Sequence, residues 1–180
     1  MLRHSEYIAL LRNLATRHVS IGHTPAASRF ARIVVSIDPL QRVVDLHEFT
    51  NNVLGARLKP ALGQQVLVVE SCQTDYLDNG GDNRTRLRHA AFMVLQQVKA
   101  NDHDAVEAAL DATEETAEDL IGGIEFLLAD QVKVRIQPNS LGSDSIGPLG
   151  DGTWYGTRMD FDFTTPATAA LAYKPYKFLL

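Results

Sequence analysis

Asp160 and Asp162 stand two residues apart at the end of a glycine-rich stretch, GPLGDGTWYGTRMDFDF, that begins at Gly147. Paired carboxylates can hold a metal ion or move protons, and glycines can cradle phosphate. On a strand, residues two apart share a face. Tyr155, Met159, Phe161 and Phe163 then occupy the opposite face, and the aspartates, with Arg158, belong on the solvent side of a half-buried strand. A metal site needs further converging ligands, and none stands nearby in sequence. Gly147, Gly150 and Gly152 lack the Lys-Ser/Thr of a phosphate loop, and a strand follows where a helix would be required.

Other candidates divide the same way. DNGGDN, from Asp78 to Asn83, lacks the spaced acids and closing glutamate of a calcium loop and suits a hairpin turn. The histidines, His4, His18, His23, His47, His89 and His103, show no metal-ligand spacing. The single cysteine, Cys72, lies in a β-rich run and fits a buried small hydrophobe. No serine sits in a G-x-S-x-G elbow. Arg84, Arg86 and Arg88 alternate with Leu87, which places the three arginines on one strand face. That face suits solvent, a subunit interface or phosphate contact, although no aromatics interleave to stack on bases.

The elements that must carry these residues follow from periodicity. A first helix is expected over 5–18, capped by Ser5, with Tyr7, Ile8, Leu11, Leu14 and Ala15 on one face. A strand is expected over 29–37. A helix should start at Asp38-Pro39, bury Leu40, Val43, Val44, His47 and Leu54, and stop at Gly55. The period then changes to two, and residues 64–77 and 84–98 read as a long hairpin. Residues 101–129 form the clearest helix, capped by Asn101 or Asp102 and weakened at Gly122-Gly123. Its buried stripe is Val106, Ala109, Leu110, Thr113, Ala117, Leu120, Ile121, Ile124 and Leu128. QVKVRIQ alternates next, with Val132, Val134 and Ile136 on one face. The order predicts an α+β domain, a mostly antiparallel sheet with helices on one face, over 1–165. Residues 166–180 form an apolar extension.

The chain has 180 residues with 45% hydrophobic and 22% charged content, ordinary for a soluble globular protein. No apolar run approaches the roughly 18 residues of a membrane span. The amino-terminal residues lack the apolar core of a signal peptide, and one cysteine forms no internal disulfide, so a cytosolic or cytosol-assembled protein is expected. Charge is segregated. Asp102, Asp104, Glu107, Asp111, Glu114, Glu115, Glu118, Asp119, Glu125 and Asp130 lie in a span without lysine or arginine, so all 17 bases lie elsewhere. A solvated helix face explains this, as does complementarity between copies of the chain. ATAALAYKPYKFLL is apolar and aromatic, unlike the usual polar, frayed terminus. Leu171, Tyr173, Tyr176, Phe178, Leu179 and Leu180 need a dry surface, on their own domain or on a neighbour.

A helical start, PALGQQVLVVES leading into a hairpin, a late amphipathic helix and the closing GPLGDGTWYGTRMDFDF together resemble neck and tail-completion (tail-terminator) proteins of tailed bacteriophages, or their counterparts in phage-derived contractile injection systems. The likeness is one of layout over most of the chain, and the apolar extension does not align to it. It implies an α+β ring, often sixfold, that joins a tail tube to the head or caps it. It also implies no catalysis, no metal and no cofactor. The partners would be copies of the chain and adjoining tail-tube, sheath or neck proteins, with DNA passing without specific binding. The location would be the virion, assembled in the host cytoplasm. Interface candidates are Arg84, Arg86, Arg88, Glu107, Asp111, Glu114, Glu118, Tyr173, Tyr176, Phe178 and Leu180. Two alternatives stand beside it: a small-ligand-binding protein or enzyme with a site between Gly150 and Asp162, which would also draw on His103, and a nucleic-acid-binding protein using the three arginines.

Overall fold

The computed structural model describes residues 2–36, 38–54, 58, 60–78, 80, 83–99, 102–129 and 134–178, with no side chain described at 39, 40, 42, 43 or 47. Helix α1 (His4–Arg17) turns Tyr7, Ile8, Leu11 and Ala15 inward. Its cap is Arg3 rather than Ser5, and the Glu6 carboxylate accepts the Arg3 N–H, because the helix begins two residues earlier than a serine cap would place it. Strand β1 (Phe30–Ile33) is shorter than expected. Helix α2 (Pro39–Phe49) begins at the expected proline and runs into a π turn, Thr50–Leu54. Leu54 is buried as expected. Val44 is exposed, and Phe49 and Leu46 supply the apolar contacts instead. The other expected stripe positions (Leu40, Val43, His47) and the stop at Gly55 lie outside the described residues.

Strands β2 (Gln65–Glu70) and β3 (Gln73–Asp78) both pair antiparallel with β4 (Arg84–Gln97), so the expected hairpin forms with one interrupted arm. Val69 faces Phe92 and Gln73 faces His89, which leaves one extra residue in the β2–β3 arm. This bulge breaks the arm at Ser71-Cys72. Helix α3 (His103–Ala129) is the acidic helix. Asp102 caps it, accepting the Ala105 N–H at 3.1 Å. The expected stripe is buried except Val106 and Leu110, which are half-buried, and Thr116 joins it. The helix runs through Gly122-Gly123. At Gly123 a Cβ would sit 2.9 Å from Leu14 Cδ2, so this glycine admits α1 to close contact.

Strands β5 (Arg135–Ile136) and β6 (Gly142–Leu149) both pair with β7 (Trp154–Pro166), and β7 runs beside β4 from Thr85 to Gln97. Val134 and Ile136 face the core as expected, while Val132 lies outside the described residues. The seven-stranded sheet is antiparallel except where β1 runs parallel to β2. The fold is therefore α+β. Helices α1 and α3 cover one face, packing on Leu67, Val69, Phe92, Val94, Phe161 and Phe163. The opposite face is partly covered too: Phe49 and Leu54 pack there on Val66, Val68, Met93, Leu95 and Trp154. The expected one-sided helical layer thus gains a smaller second layer, which stops short of the β3 end of the sheet. A short helix, α4 (Thr168–Leu171), and a 3-10 turn, Pro175–Lys177, follow β7.

Candidate functional site

Where the smaller layer stops, a polar cleft of about 510 Å³ opens on the sheet. Alternation along β7 brings Arg158, Asp160 and Asp162 to it, as the period predicts. Non-local strands bring Glu70 from β2 and His89 from β4, and Asp75 of β3 pairs with His89. Glu70 is 2% exposed, and its carboxylate accepts from Arg158 Nε at 2.8 Å and from Arg158 Nη2 at 3.4 Å. The other side of the guanidinium donates to Asp160 at 3.0 Å. Burial works against the charge on Arg158, and Glu70, Asp160 and Asp144 outweigh it, so its pKa is raised. Gly142 lies opposite Asp160 in the ladder. A Cβ there would sit 3.0 Å from the Asp160 carboxylate, so the glycine leaves room for that side chain to lie over β6.

His89 is held from both sides. Its Nδ1 is 2.7 Å from Asp162 and its Nε2 is 3.1 Å from Asp75. Desolvation opposes its protonation, but the two carboxylates prevail and the pKa is raised. Both ring nitrogens are thus committed to protein partners, as is the Arg158 fork. The arrangement ties β2, β3, β4 and β7 together across the sheet. The bulge adds a further tie: the Ser71 N–H donates to Ile33 O at 2.9 Å, and Ser71 Oγ accepts the Val35 N–H at 3.3 Å. The aspartates are therefore not simply solvent-side residues, as expected, but members of a half-buried ionic network. Sequence reasoning missed Glu70, Asp75 and His89, which lie far from Asp160 along the chain. His103 opens α3 and does not line the cleft. Among the described residues, no group of three His, Cys, Asp or Glu side chains is placed to hold a metal ion.

The glycine-rich stretch resolves into the β6–β7 turn. Gly150 and Gly152 have φ of +61° and +84°, and Asp151 accepts the Thr153 N–H, an ordinary strand reversal. The arginine trio divides. Arg84 is exposed and pairs with Asp78 at 3.3 Å. Arg86 and Arg88 are each 7% exposed, so of the expected solvated or interface face the solvated form does not hold for these two. They share parity with Ala90, Phe92 and Val94 and so face the helix-covered side. Each guanidinium lies over a ring, Arg86 over Tyr76 at 5.4 Å and Arg88 over Phe163 at 6.0 Å.

Two further surfaces stand out. The α3 acids Glu107, Asp111, Glu114 and Glu118 are all exposed, with Phe126 beyond them 79% exposed. In the extension, Tyr173, Tyr176 and Phe178 are 71%, 79% and 59% exposed. Tyr173 and Phe178 stack on each other, centroids 5.2 Å apart, and contribute nothing to either core cluster. The segment is tethered where it leaves β7, since the Ala167 N–H donates to Arg84 O and Thr168 Oγ1 accepts the Arg84 N–H. Leu180 lies outside the described residues. No described helix is long and apolar enough to cross a membrane. Compared with protein-family models and with curated proteins, the chain matches none.

Proposed function

We propose that this chain is a self-associating structural protein, a ring-forming tail-terminator or neck component of the kind its sequence resembles. On this reading it is not an enzyme. It sits in the tail or neck of a virion, or of a contractile injection device, after assembly in the host cytoplasm. It contacts further copies of itself, six in a ring by the resemblance, and adjoining tail-tube, sheath or neck proteins. The observation that carries the proposal is the aromatic extension, held out in solvent by a tether at Arg84. Exposed aromatic surface of this kind favours a protein partner. The segregated charge supports it as well. A ring uses two different patches of each subunit, and an outward acidic helix with bases elsewhere provides complementary ones.

Light scattering coupled to size exclusion tests this on the full chain and on a chain ending at Ala172. The full chain should run as an oligomer, and the truncated one should shift toward monomer while keeping the same melting temperature. A full chain that stays monomeric at every concentration, and that binds no tail-tube, sheath or neck protein, refutes the proposal.

One observation favours a second reading, a small-ligand or catalytic site between Gly150 and Asp162: the cleft over Arg158 and Asp160. Asp160→Ala and Asp162→Ala variants that leave all measured ligand binding unchanged remove it. The nucleic-acid reading has lost two of its three contact residues to burial and rests on Arg84 alone.

A further inference from the structure

Arg86 and Arg88 pose a problem that the ring reading does not address. Both are more than nine-tenths buried, and the Nε of each has no hydrogen-bond partner among the described residues. Residues two apart on a strand are separated by roughly 6.6 Å and share a face, so two positive charges lie side by side. The ion pairs among the described residues go elsewhere: Glu70 to Arg158 on the opposite face, and Asp78 to Arg84. The rings of Tyr76 and Phe163 under the guanidiniums temper the charge but accept no N–H in the manner of an oxygen.

The same neighbourhood gathers neutral donors in the same condition. Thr165 faces Arg86 in the β4–β7 ladder, is 1% exposed, and its hydroxyl has no partner. Tyr7 stacks on Phe163 at 5.9 Å, is 1% exposed, and its hydroxyl likewise has no partner. Two guanidiniums and two hydroxyls thus gather on one face around two neighbouring cross-strand pairs, Arg86 with Thr165 and Arg88 with Phe163, with Tyr7 against Phe163. Buried polar groups are nearly always satisfied, and buried charges are paired. Groups of this type are satisfied together by an oxyanion, which takes several N–H and O–H donors and neutralises charge.

We propose that Arg86, Arg88, Thr165 and Tyr7 form a binding site for one oxyanion, a phosphate, sulfate or carboxylate group. The four residues lie on the other face of the sheet from Arg158 and Asp160, and at their edge Arg88 donates a hydrogen bond to Cys72, which lines the cleft. It holds whether or not the chain forms rings. Its occupant is either a free anion or a carboxylate presented by a second copy, for which the exposed acids of α3 are the available donors.

Thermal unfolding of the full chain in inorganic phosphate, against sodium chloride at equal ionic strength, reads the first source. Phosphate at tens of millimolar should raise the melting temperature by several degrees beyond chloride, because a ligand bound only by the folded state stabilises it. Arg86→Met and Arg88→Met should lose that increment while melting no lower than the parent without phosphate, since an uncompensated buried charge has been removed. Arg86→Lys keeps the charge but loses the planar fork, and should bind phosphate at least tenfold more weakly by calorimetry. It serves if a methionine variant does not fold. The second source is read by oligomer mass. If phosphate does no more than chloride, but Arg88→Met and the pair Glu114→Gln/Glu118→Gln lower the mass equally and not additively, a neighbour's carboxylate fills the site. Equal phosphate shifts in parent and arginine variants overturn the proposal, as does a parent with no phosphate effect whose mass the arginine variants leave unchanged.

Discussion

Gly156 allows a prediction whose size can be worked out from distances. It lies near the start of β7, opposite Leu95 of β4, and its φ is not in the left-handed region, so alanine meets no backbone strain there. The obstacle is contact. A Cβ at Gly156 would stand 2.0 Å from Val94 O, 2.9 Å from Leu95 Cα and 3.0 Å from Val94 C. All three are main-chain atoms and cannot rotate away. The two strands must separate by about 1.5 Å to reach ordinary van der Waals distance. Overpacking costs about 1–3 kcal/mol, and each ladder hydrogen bond lost adds about 1 kcal/mol. Gly156→Ala should therefore cost about 3–5 kcal/mol. In a chain of this size, a melting temperature falls roughly 2–4 °C per kcal/mol, so a drop on the order of 10 °C is expected by circular dichroism. Two helical glycines calibrate the result. Gly122 has nothing within 4 Å of the added carbon, and Gly122→Ala should raise stability by about 0.5–1 kcal/mol. Gly123→Ala meets only the tip of the Leu14 side chain and should fall between the two. If Gly156→Ala melts within a degree of the parent, the close approach of β4 and β7 is wrong, and the placement of Arg158 and Asp160 falls with it.

The other expectations concern titration and capping. His89 has a raised folded-state pKa, so its ion pairs stabilise the fold below the ordinary histidine pKa of about 6.5, and that contribution disappears as pH rises through the folded value. His89→Gln should cost about 0.5–1 kcal/mol near pH 6 and less at pH 9, a size limited by its partial exposure; melting curves that differ equally at both values contradict this. Burial pushes the Cys72 thiol up to about 11, with Arg88 pulling back only part of the way. At pH 8 its thiolate fraction should be about two hundred times below that of a free cysteine of pKa ~8.5. Alkylation in the folded state should be slow to match, and a rate equal to free cysteine contradicts the burial. Asp102→Ala removes the cap of α3 and should cost about 1 kcal/mol, seen as a Tm lower by roughly 2–4 °C.

What was legible in the sequence was mostly local. The stripe of α3 from Ala109 to Leu128 follows from a 3.6-residue period, because one long helix needs only one partner surface. Alternation placed Arg158, Asp160 and Asp162 together on one face of β7. It failed for Arg86 and Arg88 because β4 is buried on both faces between Ala90 and Leu95, so parity alone does not distinguish the two sides. Carrying the parity of Phe92 back to Arg86 names the correct face, but the apolar Leu87 suggests the opposite. The partners of Asp160 and Asp162 were not legible. Glu70 joins Asp160 only through Arg158, 88 residues away along the chain, and His89 meets Asp162 from 73 residues away, which no local pattern encodes. The Ser71-Cys72 bulge was hidden for the same reason, since an unbroken alternating run and a bulged one look alike until the partner strand is known.

β4 is the common neighbour of β2, β3 and β7, and one whole side of it is closed only by β7. A growing polypeptide makes β4 long before residues 154–166 leave the ribosome. For that interval its apolar middle presents a bare row of main-chain donors and acceptors, a template that any extended segment can copy. Pairings between such distant residues also form slowly. Yield in a foreign host should therefore depend on temperature and on chaperone supply during synthesis, and fragments cut before Trp154 should precipitate even if every helix they contain is sound.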